Sequence, residues 1–221
     1  MFFKFPSTPY IDFSESVVRK DKVLTEIEME QVLGREIYVE EKIDGANLGI
    51  SFDSEGRLLL QNRVSYLYLP LEGQWKLLTG WLDKHESLIF DCITDEFILF
   101  GEWCYAVHSI YYNALPDFFL GFDLFEKKTG QFLSVDRRNE IMMHMGISIV
   151  PLLGKGIYTV DELKHFFGKS QYGNCDAEGI YLRQDLKGYL CYRAKMVQKK
   201  FRQEIGVHWS KGQIRCNRVM R

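Results

Sequence analysis

The chain has 221 residues, of which 46% are apolar and 26% are charged, a balance typical of a folded globular protein and not of a disordered one. No apolar stretch is long enough to span a bilayer, and the opening MFFKFPSTPY lacks the charged lead and apolar run of a secretory signal. The five cysteines form no CxxC pair and the five histidines are scattered, which disfavours a zinc site and a disulfide framework. We therefore expect a cytoplasmic protein with reduced cysteines and no membrane partner.

Positive charge is concentrated in the last part of the sequence, although the formal net charge is −2. Residues 199–221 contain seven basic residues and one acid, Glu204, so this stretch carries +6 and the remainder −8. Such asymmetry fits a local phosphate-binding surface on an acidic body, and it also fits a solvated basic end that aids solubility.

Taken in chain order, the first part of the sequence favours strands. Residues 36–53 contain two β-rich runs separated by a turn signal at residues 44–47, and a third strand is predicted over residues 57–63. Residues 74–90 place apolar side chains at helical spacing and predict an amphipathic helix. Its predicted apolar face consists of Trp75, Leu78, Trp81, Leu82, Leu88 and Ile89.

The second part of the sequence continues with strands and two short helices. Aromatic and branched residues predict strands at residues 96–105, 117–125, 178–184 and 188–197, the last two joined as a hairpin by residues 185–187. One helix is predicted from Ser134 to Met145 with Gly146 as its C-terminal cap, and another begins at Thr159, which forms a capping-box pattern with Glu162. This order predicts a single α+β domain built on antiparallel sheet.

Lys42 is the candidate nucleophile. It ends a predicted strand just before a turn, in the string EKIDGAN (41–47). A lysine amine attacks phosphorus only when it is deprotonated, so burial or nearby cations must disfavour its charged form. A bound metal would do this and would also neutralise phosphate oxygens. We expect Gly45 to let the backbone approach a nucleotide closely, although the string alone is weak evidence and is more typical of a hairpin turn that carries a solvated lysine.

Six short strings occur in order along the chain: KIDGAN (42–47), QNR (61–63), FGE (100–102), GFD (121–123), EGI (178–180) and YRAK (192–195). Together they resemble the motif series of covalent nucleotidyltransferases, and most closely that of ATP-dependent RNA ligases of the double-strand, nick-sealing type. The resemblance runs from about Pro6 to about Phe201 and includes the opening FPSTP. It implies a nucleotidyltransferase (adenylation) domain of antiparallel β-sheets flanked by helices, ATP-grasp-like, over residues 1–203, followed by a short basic tail over residues 204–221.

The resemblance implies ATP as the cofactor and gives a role to each matching residue. Lys42 would form the covalent lysyl-adenylate, with Glu41 and Asn47 placing the nucleotide beside it. Arg63 would contact the ribose and the 5′ phosphate. Glu102 would accept a hydrogen bond from a ribose hydroxyl, for which a carboxylate is well suited.

The remaining roles concern the base, the metal and the phosphates. Phe122 would stack on the adenine with Asp123 nearby. Glu178 would bind or orient the metal, expected to be Mg²⁺ with Mn²⁺ as an alternative. Lys195, with Arg193, would neutralise the α-phosphate. The family usually has lysine at both of these last positions, and a rigid guanidinium is not equivalent to an ammonium. Each residue also has an ordinary explanation as a strand-edge carboxylate, a core phenylalanine or a solvated basic side chain.

The resemblance therefore implies an ATP-dependent RNA ligase that transfers AMP from Lys42 to a 5′-phosphate end and joins that end to a 3′-hydroxyl. About 20 residues follow Phe201, where many ligases carry a further domain. We expect either the basic tail or a partner, such as a duplex-binding or end-healing protein, to help engage RNA ends or a nicked duplex. The alternatives are a minimal DNA ligase, a GTP-using capping enzyme, and a non-catalytic RNA-binding module that keeps the fold.

Overall fold

The computed structural model describes residues 2–11, 23–202 and 214–220. The helices in these ranges are α1 Glu26–Leu33, α2 Leu78–Ile93, α3 Val135–His144, α4 Val160–Lys164 and α5 Lys199–Arg202. The strands are β1 Ile37–Lys42, β2 Ala46–Phe52, β3 Leu58–Gln61, β4 Tyr66–Leu67, β5 Phe97–Trp103, β6 Phe119–Glu126, β7 Gln131–Phe132, β8 Leu152–Gly156, β9 Gly179–Leu186 and β10 Tyr189–Val197. None of the helices in the described ranges is long and apolar enough to cross a membrane.

Two antiparallel sheets form the framework. A four-stranded sheet has the order β10-β9-β1-β8, and a six-stranded sheet has the order β4-β3-β2-β5-β6-β7. β1 and β2 are consecutive in sequence but belong to different sheets, so the connection between them lies where the two sheets meet. Lys42, the last residue of β1, stands at that junction. The predicted α+β class, with antiparallel sheets and few helices, is confirmed.

Each sheet buries one face in its own apolar core. In the six-stranded sheet, Trp103 of β5 packs in one cluster with Trp81 of α2. In the four-stranded sheet, Val39 of β1 shares a cluster with Val32 of α1 and Leu163 of α4. Full burial of an aliphatic side chain stabilises a fold by about 1.5–3 kcal/mol, so these clusters help to fix both sheets.

Helix α2 begins four residues later than the sequence pattern predicts. Residues 73–75 form a separate 3₁₀ turn, which starts at Gly73 with φ +59°, and Trp75 therefore lies outside the helix. The predicted apolar face is otherwise present, except that Leu88 at its edge is 50% exposed.

The chain leaves β1 and enters β2 through Ile43–Gly45, a shorter turn than the predicted 44–47. Ala46 and Asn47 are already paired with β5. A Cβ on Gly45 would lie 3.0 Å from the carbonyl oxygen of Trp103. Glycine thus suits the close packing against the end of β5, and the expectation that it lets the backbone approach a nucleotide stays a prediction.

The hairpin between β9 and β10 also turns later than predicted. Lys187 and Gly188 both have positive φ, 52° and 82°, as in the two-residue turns whose twist matches that of paired strands. β9 therefore extends to Leu186, because the turn chemistry is carried by Gly188 and not by Asp185.

The predicted helix caps are present. The Ser134 side chain accepts from the backbone of α3, and Gly146 follows that helix with φ +66°. Thr159 and Glu162 form the reciprocal capping box of α4. The sequence patterns do not predict α1, although Thr25 caps it in the same way.

Residues 214–220, here called the C-terminal segment, pack onto the loop 104–115 that follows β5. Asn217 is buried there: its Oδ1 accepts from the backbone N–H of Tyr112 at 2.8 Å, and its Nδ2 donates to the carbonyl of Cys104 at 2.8 Å. This part of the predicted basic tail is built into the domain. The rest of that tail, residues 204–213 and 221, lies outside the described residues.

Candidate active site

A cleft opens at the junction of the two sheets, beside the end of β1. It contains about 690 Å³ of space between atoms, part of which is open solvent. The residues that line it are Phe5, Thr8, Glu40, Glu41, Lys42, Ile43, Asn47, Arg63, Glu102, Phe122, Val150, Tyr181 and Lys195. Seven of these are predicted site residues, brought together from stretches that are far apart in the sequence.

Lys42 projects into the cleft and forms an ion pair with Glu178, their side chains being 22% and 16% exposed. The pairing of β1 with β9 causes this contact, because Lys42 lies opposite Gly179. Burial acts to lower the pKa of Lys42, but the charges of Glu178, Glu102 and Asp44 outweigh burial and hold that pKa above its usual value. Lys42 therefore keeps its proton in this arrangement, and its amine would be deprotonated more readily if another cation neutralised the carboxylates.

Glu102 lies on β5 and pairs in register with Asn47 of β2. Burial, reinforced by the charges of Asp44 and Glu178, raises the pKa of Glu102 to about 8, despite the opposing attraction of Lys42. Burial likewise raises the pKa of Glu178. Burial thus disfavours the charged form of both carboxyl groups, and a cation bound beside them would favour that form.

Three buried oxygen atoms beside the cleft have no hydrogen-bond partner within the described part of the chain. They are Oε1 of Glu41, Oδ1 of Asn47 and Oε2 of Glu102. A buried polar group left unpaired costs about 1–3 kcal/mol, so such atoms are normally satisfied by something. A ligand that presents N–H or O–H groups, or a metal ion, would satisfy all three acceptors.

One wall of the cleft is aromatic. The rings of Phe5 and Phe122 meet edge to face with their centroids 5.3 Å apart. The carbonyl oxygen of Phe122 accepts from the guanidinium groups of Arg138 and Arg183, so the backbone that carries this ring is held in place. A fixed apolar surface beside unpaired acceptors suits a heteroaromatic base.

Two cations also line the cleft. Arg63 donates from Nη2 to the hydroxyl of Ser7 at 3.4 Å. The ammonium of Lys195 lies 4.2 Å from the centroid of the Tyr10 ring. Both therefore stand beside the N-terminal stretch, where they would meet the negative part of a ligand.

Asp123 and Arg193 do not line the cleft. Asp123 is fully buried in an ion pair with Arg183, and Nη1 of Arg193 lies 3.4 Å from its other oxygen. The guanidinium of Arg193 also lies 4.1 Å from the centroid of the Phe132 ring. Both charges are engaged in a buried network under Phe122, and their expected places beside the adenine and the α-phosphate stay predictions.

Asp44 ties the turn after Lys42 to the loop that follows β5. Its Oδ2 accepts from the backbone N–H groups of Ser109 at 2.7 Å and Ile110 at 3.0 Å. Its own N–H donates to the hydroxyl of Tyr112 at 2.9 Å. These bonds hold the position of Lys42 from its C-terminal side.

A sequence model of one family, described as RNA ligase, matches residues 35–197, a span that includes every predicted site residue. The chain belongs to the RNA ligase family. No curated protein sequence matches it significantly.

Solved RNA ligases share the fold of this family member. A mutant RNA ligase of Naegleria gruberi with ATP and manganese matches with a TM-score of 0.64 at 16% identity, covering 79% of this chain and 53% of that one. The same ligase with pyrophosphate gives 0.63 at 18%, covering 81% and 54%. An archaeal ATP-dependent RNA ligase gives 0.62 at 19%, covering 90% and 49%. The chain thus spans about half the length of these ligases.

Several cleft residues of this RNA ligase family chain are absent from the sequence predictions. The hydroxyls of Thr8 and Tyr181 lie 2.9 Å apart, and Glu40 is buried in an ion pair with Arg138. Tyr181 lies opposite Lys195 in the observed hairpin, but the predicted turn at residues 185–187 implies a different register and does not place it there. Arg138 carried no signal, since a buried arginine on an amphipathic helix has the same spacing as an exposed one.

Proposed function

We propose that this chain is an ATP-dependent RNA ligase that carries AMP covalently on Lys42 during the reaction. The observation that supports this most is the position of Lys42, which lies in a cleft between Glu178 and Glu102 and beside three unpaired acceptors. A lysine that only covered the surface would have no need of two half-buried carboxylates. Membership of the RNA ligase family supports the same chemistry.

The lining of the cleft suits ATP. The adenine would lie against Phe122, and its exocyclic amine would donate to the unpaired oxygen of Glu41. Ribose hydroxyls would donate to Glu102 and Asn47, whose unpaired atoms are acceptors. Arg63 would contact the ribose and the 5′ phosphate of the substrate. The Naegleria gruberi ligase of the same fold was solved with ATP and manganese, which favours this assignment.

A divalent metal, Mg²⁺ or in its place Mn²⁺, is proposed to bind at Glu178. Among the described residues, no three His, Cys, Asp or Glu side chains are grouped so as to hold a metal. The protein would therefore supply one or two carboxylates and the nucleotide phosphates and water would complete the shell, as is usual for Mg²⁺. When bound, the metal would neutralise phosphate charge and favour the unprotonated amine of Lys42.

Three nucleotidyl transfers would then follow. Lys42 releases a proton and its Nζ attacks the α-phosphorus of ATP, forming a P–N bond as the bond to pyrophosphate breaks, while Lys195 neutralises the charge on that phosphate. An oxygen of the RNA 5′-phosphate next attacks the same phosphorus, and Lys42 leaves and regains its proton. Finally a 3′-hydroxyl loses its proton and attacks the 5′-phosphorus, which closes the strand and releases AMP.

Covalent labelling with ATP radiolabelled at the α-phosphate, in the presence of Mg²⁺, tests the first step. The label is expected to stay on the denatured wild type and on Lys128→Ala, an exposed lysine in the turn between β6 and β7. It is expected to be absent from Lys42→Ala. An unlabelled wild type, freshly purified and free of AMP, would overturn the enzymatic proposal in favour of a non-catalytic RNA-binding module.

Nucleotide and substrate exchange separates the remaining alternatives. Labelling by GTP in place of ATP would indicate a capping enzyme. Nicked duplexes with RNA on the 3′-hydroxyl side are expected to be sealed, whereas sealing only with DNA on that side would indicate a minimal DNA ligase. Sealing by the purified chain alone would show that it needs no end-healing or duplex-binding partner.

A further inference from the structure

A basic and aromatic surface lies next to the cleft, on the loop that holds Asp44. We propose that this surface, formed by Lys76, Tyr111 and Arg215 and here called the docking surface, binds the phosphate backbone of the RNA strand to be joined. This inference rests on the proposed function and assigns its nucleic-acid contact to particular residues.

The two cations of the docking surface are held over aromatic rings. The guanidinium carbon of Arg215 lies 4.5 Å from the centroid of the Tyr111 ring, and the ammonium of Lys76 lies 5.4 Å from that of Tyr105. Both cationic side chains are exposed. A ring face holds a cation by its charge without using its N–H groups. The N–H groups of Arg215 remain available to donate to phosphate, and a guanidinium does so with two parallel bonds. The ammonium of Lys76 also hydrogen-bonds the Tyr105 side chain and offers its remaining N–H groups.

Three separate stretches of chain are joined to make this one surface. The 3₁₀ turn before Lys76 is bonded to the loop after β5, with the ring Nε2 of His108 2.9 Å from Oε1 of Gln74. The indole of Trp103 donates to the carbonyl of Gln74 at 2.7 Å. A Cβ on Gly73 of that turn would lie 3.8 Å from Ile214 of the C-terminal segment. The cations therefore have a fixed spacing, unlike those of a solvated tail.

The docking surface is connected directly to the catalytic turn. Asn217 anchors the C-terminal segment by bonding the backbone of Tyr112, the neighbour of Tyr111 in the chain. The hydroxyl of the same Tyr112 accepts from the backbone of Asp44 at 2.9 Å, two residues after Lys42. A strand held by Arg215 would thus pass close to the lysine that carries AMP.

Two kinds of ligand carry the phosphate groups that this surface recognises. They are the RNA backbone and the triphosphate of ATP. The cleft lining has its own cations, Arg63 and Lys195, whereas Lys76 and Arg215 are not part of it. Cations outside the nucleotide cleft are of no use to a nucleotide bound within it. The geometry therefore favours the RNA strand.

The experiment compares the full-length chain with Arg215→Glu, Lys76→Glu and the double variant. Lys128→Glu, an equal charge reversal on an exposed turn at the far end of β6, is the matched control. Binding of a fluorescent single-stranded RNA with a 5′ phosphate is measured by anisotropy at several KCl concentrations. In parallel, the rate of covalent labelling is measured at several ATP concentrations. This assay gives the apparent KM for ATP and also shows whether each variant is folded.

We expect the double variant to bind RNA at least about tenfold more weakly and to lose about one unit of salt slope for each phosphate contact removed. Its apparent KM for ATP in labelling should equal that of the wild type, and Lys128→Glu should behave as the wild type in both assays. RNA affinity and slope equal to those of Lys128→Glu would overturn the inference. So would a raised KM for ATP with unchanged RNA binding, because the surface would then serve the triphosphate.

The two proposals fail in different assays. If the wild type takes no AMP on Lys42, the ligase proposal fails whatever the docking surface binds. If Lys42 is labelled normally while Arg215→Glu and Lys76→Glu bind RNA as the control does, only the docking surface is refuted.

Discussion

Replacing Glu102 by glutamine is expected to stabilise the nucleotide-free chain while it impairs activity. The carboxylate of Glu102 is in a cleft that already contains Glu178 and Asp44, and burial raises its pKa to about 8. At neutral pH the group must either stay charged in this environment or take up a proton that it does not hold in the unfolded chain, and both cost free energy. Glutamine has nearly the same shape as the protonated acid and carries no charge at any pH.

The magnitude follows from the difference in pKa between the folded and the unfolded chain. The pKa of Glu102 rises from 4.5 to about 8, a difference of 3.5 units, and each unit corresponds to about 1.4 kcal/mol. Above pH 8 the upper limit of the stability gained by Glu102→Gln is therefore about 5 kcal/mol. At pH 7 the corresponding limit is about 3 kcal/mol. Water entering an open cleft reduces such effects, so we expect a gain of about 1–2 kcal/mol. For a domain of this size, each kcal/mol raises the Tm by about 2–4 °C.

The pH dependence has a definite sign. Because the pKa of Glu102 is higher in the folded chain than in the unfolded one, folding favours the protonated acid. Its contribution to stability is full below about pH 4.5 and is lost as the pH rises towards about 8. Thermal unfolding of the wild type and of Glu102→Gln should therefore give Tm values that diverge between pH 5 and about pH 8, with the variant higher.

Glu86→Gln is the control, since this glutamate is exposed on α2. Its Tm should follow that of the wild type at every pH. If Glu102→Gln has a Tm equal to or below that of the wild type throughout this range, the account of crowded carboxylates in the cleft is wrong. In the labelling assay the same variant should lose about 10–100-fold in rate, the worth of one hydrogen bond to a charged group.

Three further substitutions test other parts of the structure. Asp123→Asn leaves the buried guanidinium of Arg183 without its ion pair, so the free energy of unfolding in urea should fall by about 3–5 kcal/mol; a loss below about 1 kcal/mol would contradict the buried network. Gly45→Ala should destabilise the chain by about 1–3 kcal/mol in the same assay, because the new methyl meets the carbonyl of Trp103. Phe122→Leu should raise the KM for ATP about tenfold with little change in kcat, as expected if the ring contacts the base, and an unchanged KM would place the adenine elsewhere.

Local signals in the sequence predict most of the helices and strands, because each signal depends on only a few neighbouring residues. The caps at Ser134 and Thr159 need only a side chain and the backbone three residues ahead. The position of Lys42 at a strand end follows from a β-rich run that stops at a turn. Where tertiary packing decides, prediction is less accurate: the turn before β2 is short because Gly45 fits against Trp103, a contact between residues 58 positions apart in sequence.

The residues of the candidate site likewise divide into those that local strings predict and those that depend on long-range contacts. Ordered short strings predict seven of the cleft residues, since each string occupies one strand end or turn that faces the junction. Asp123 is predicted beside the nucleotide together with Phe122, and its carboxylate is buried in an ion pair with Arg183, a long-range contact that the local string does not indicate. The docking surface depends on Arg215 folding back onto Tyr111, a long-range contact that no local pattern indicates.

The guanidinium of Arg138 is bonded both to Glu40 of the four-stranded sheet and to the carbonyl of Phe122 in the six-stranded sheet. Moving the sheets apart would therefore leave the buried charge of Arg138 without a partner, which would cost about 3–5 kcal/mol. The cleft is for this reason preorganised, and it need not close around a nucleotide by rotation of one sheet against the other. Little of the binding free energy is then consumed in reshaping the protein, so differences in affinity between nucleotides should report the contacts within the cleft directly.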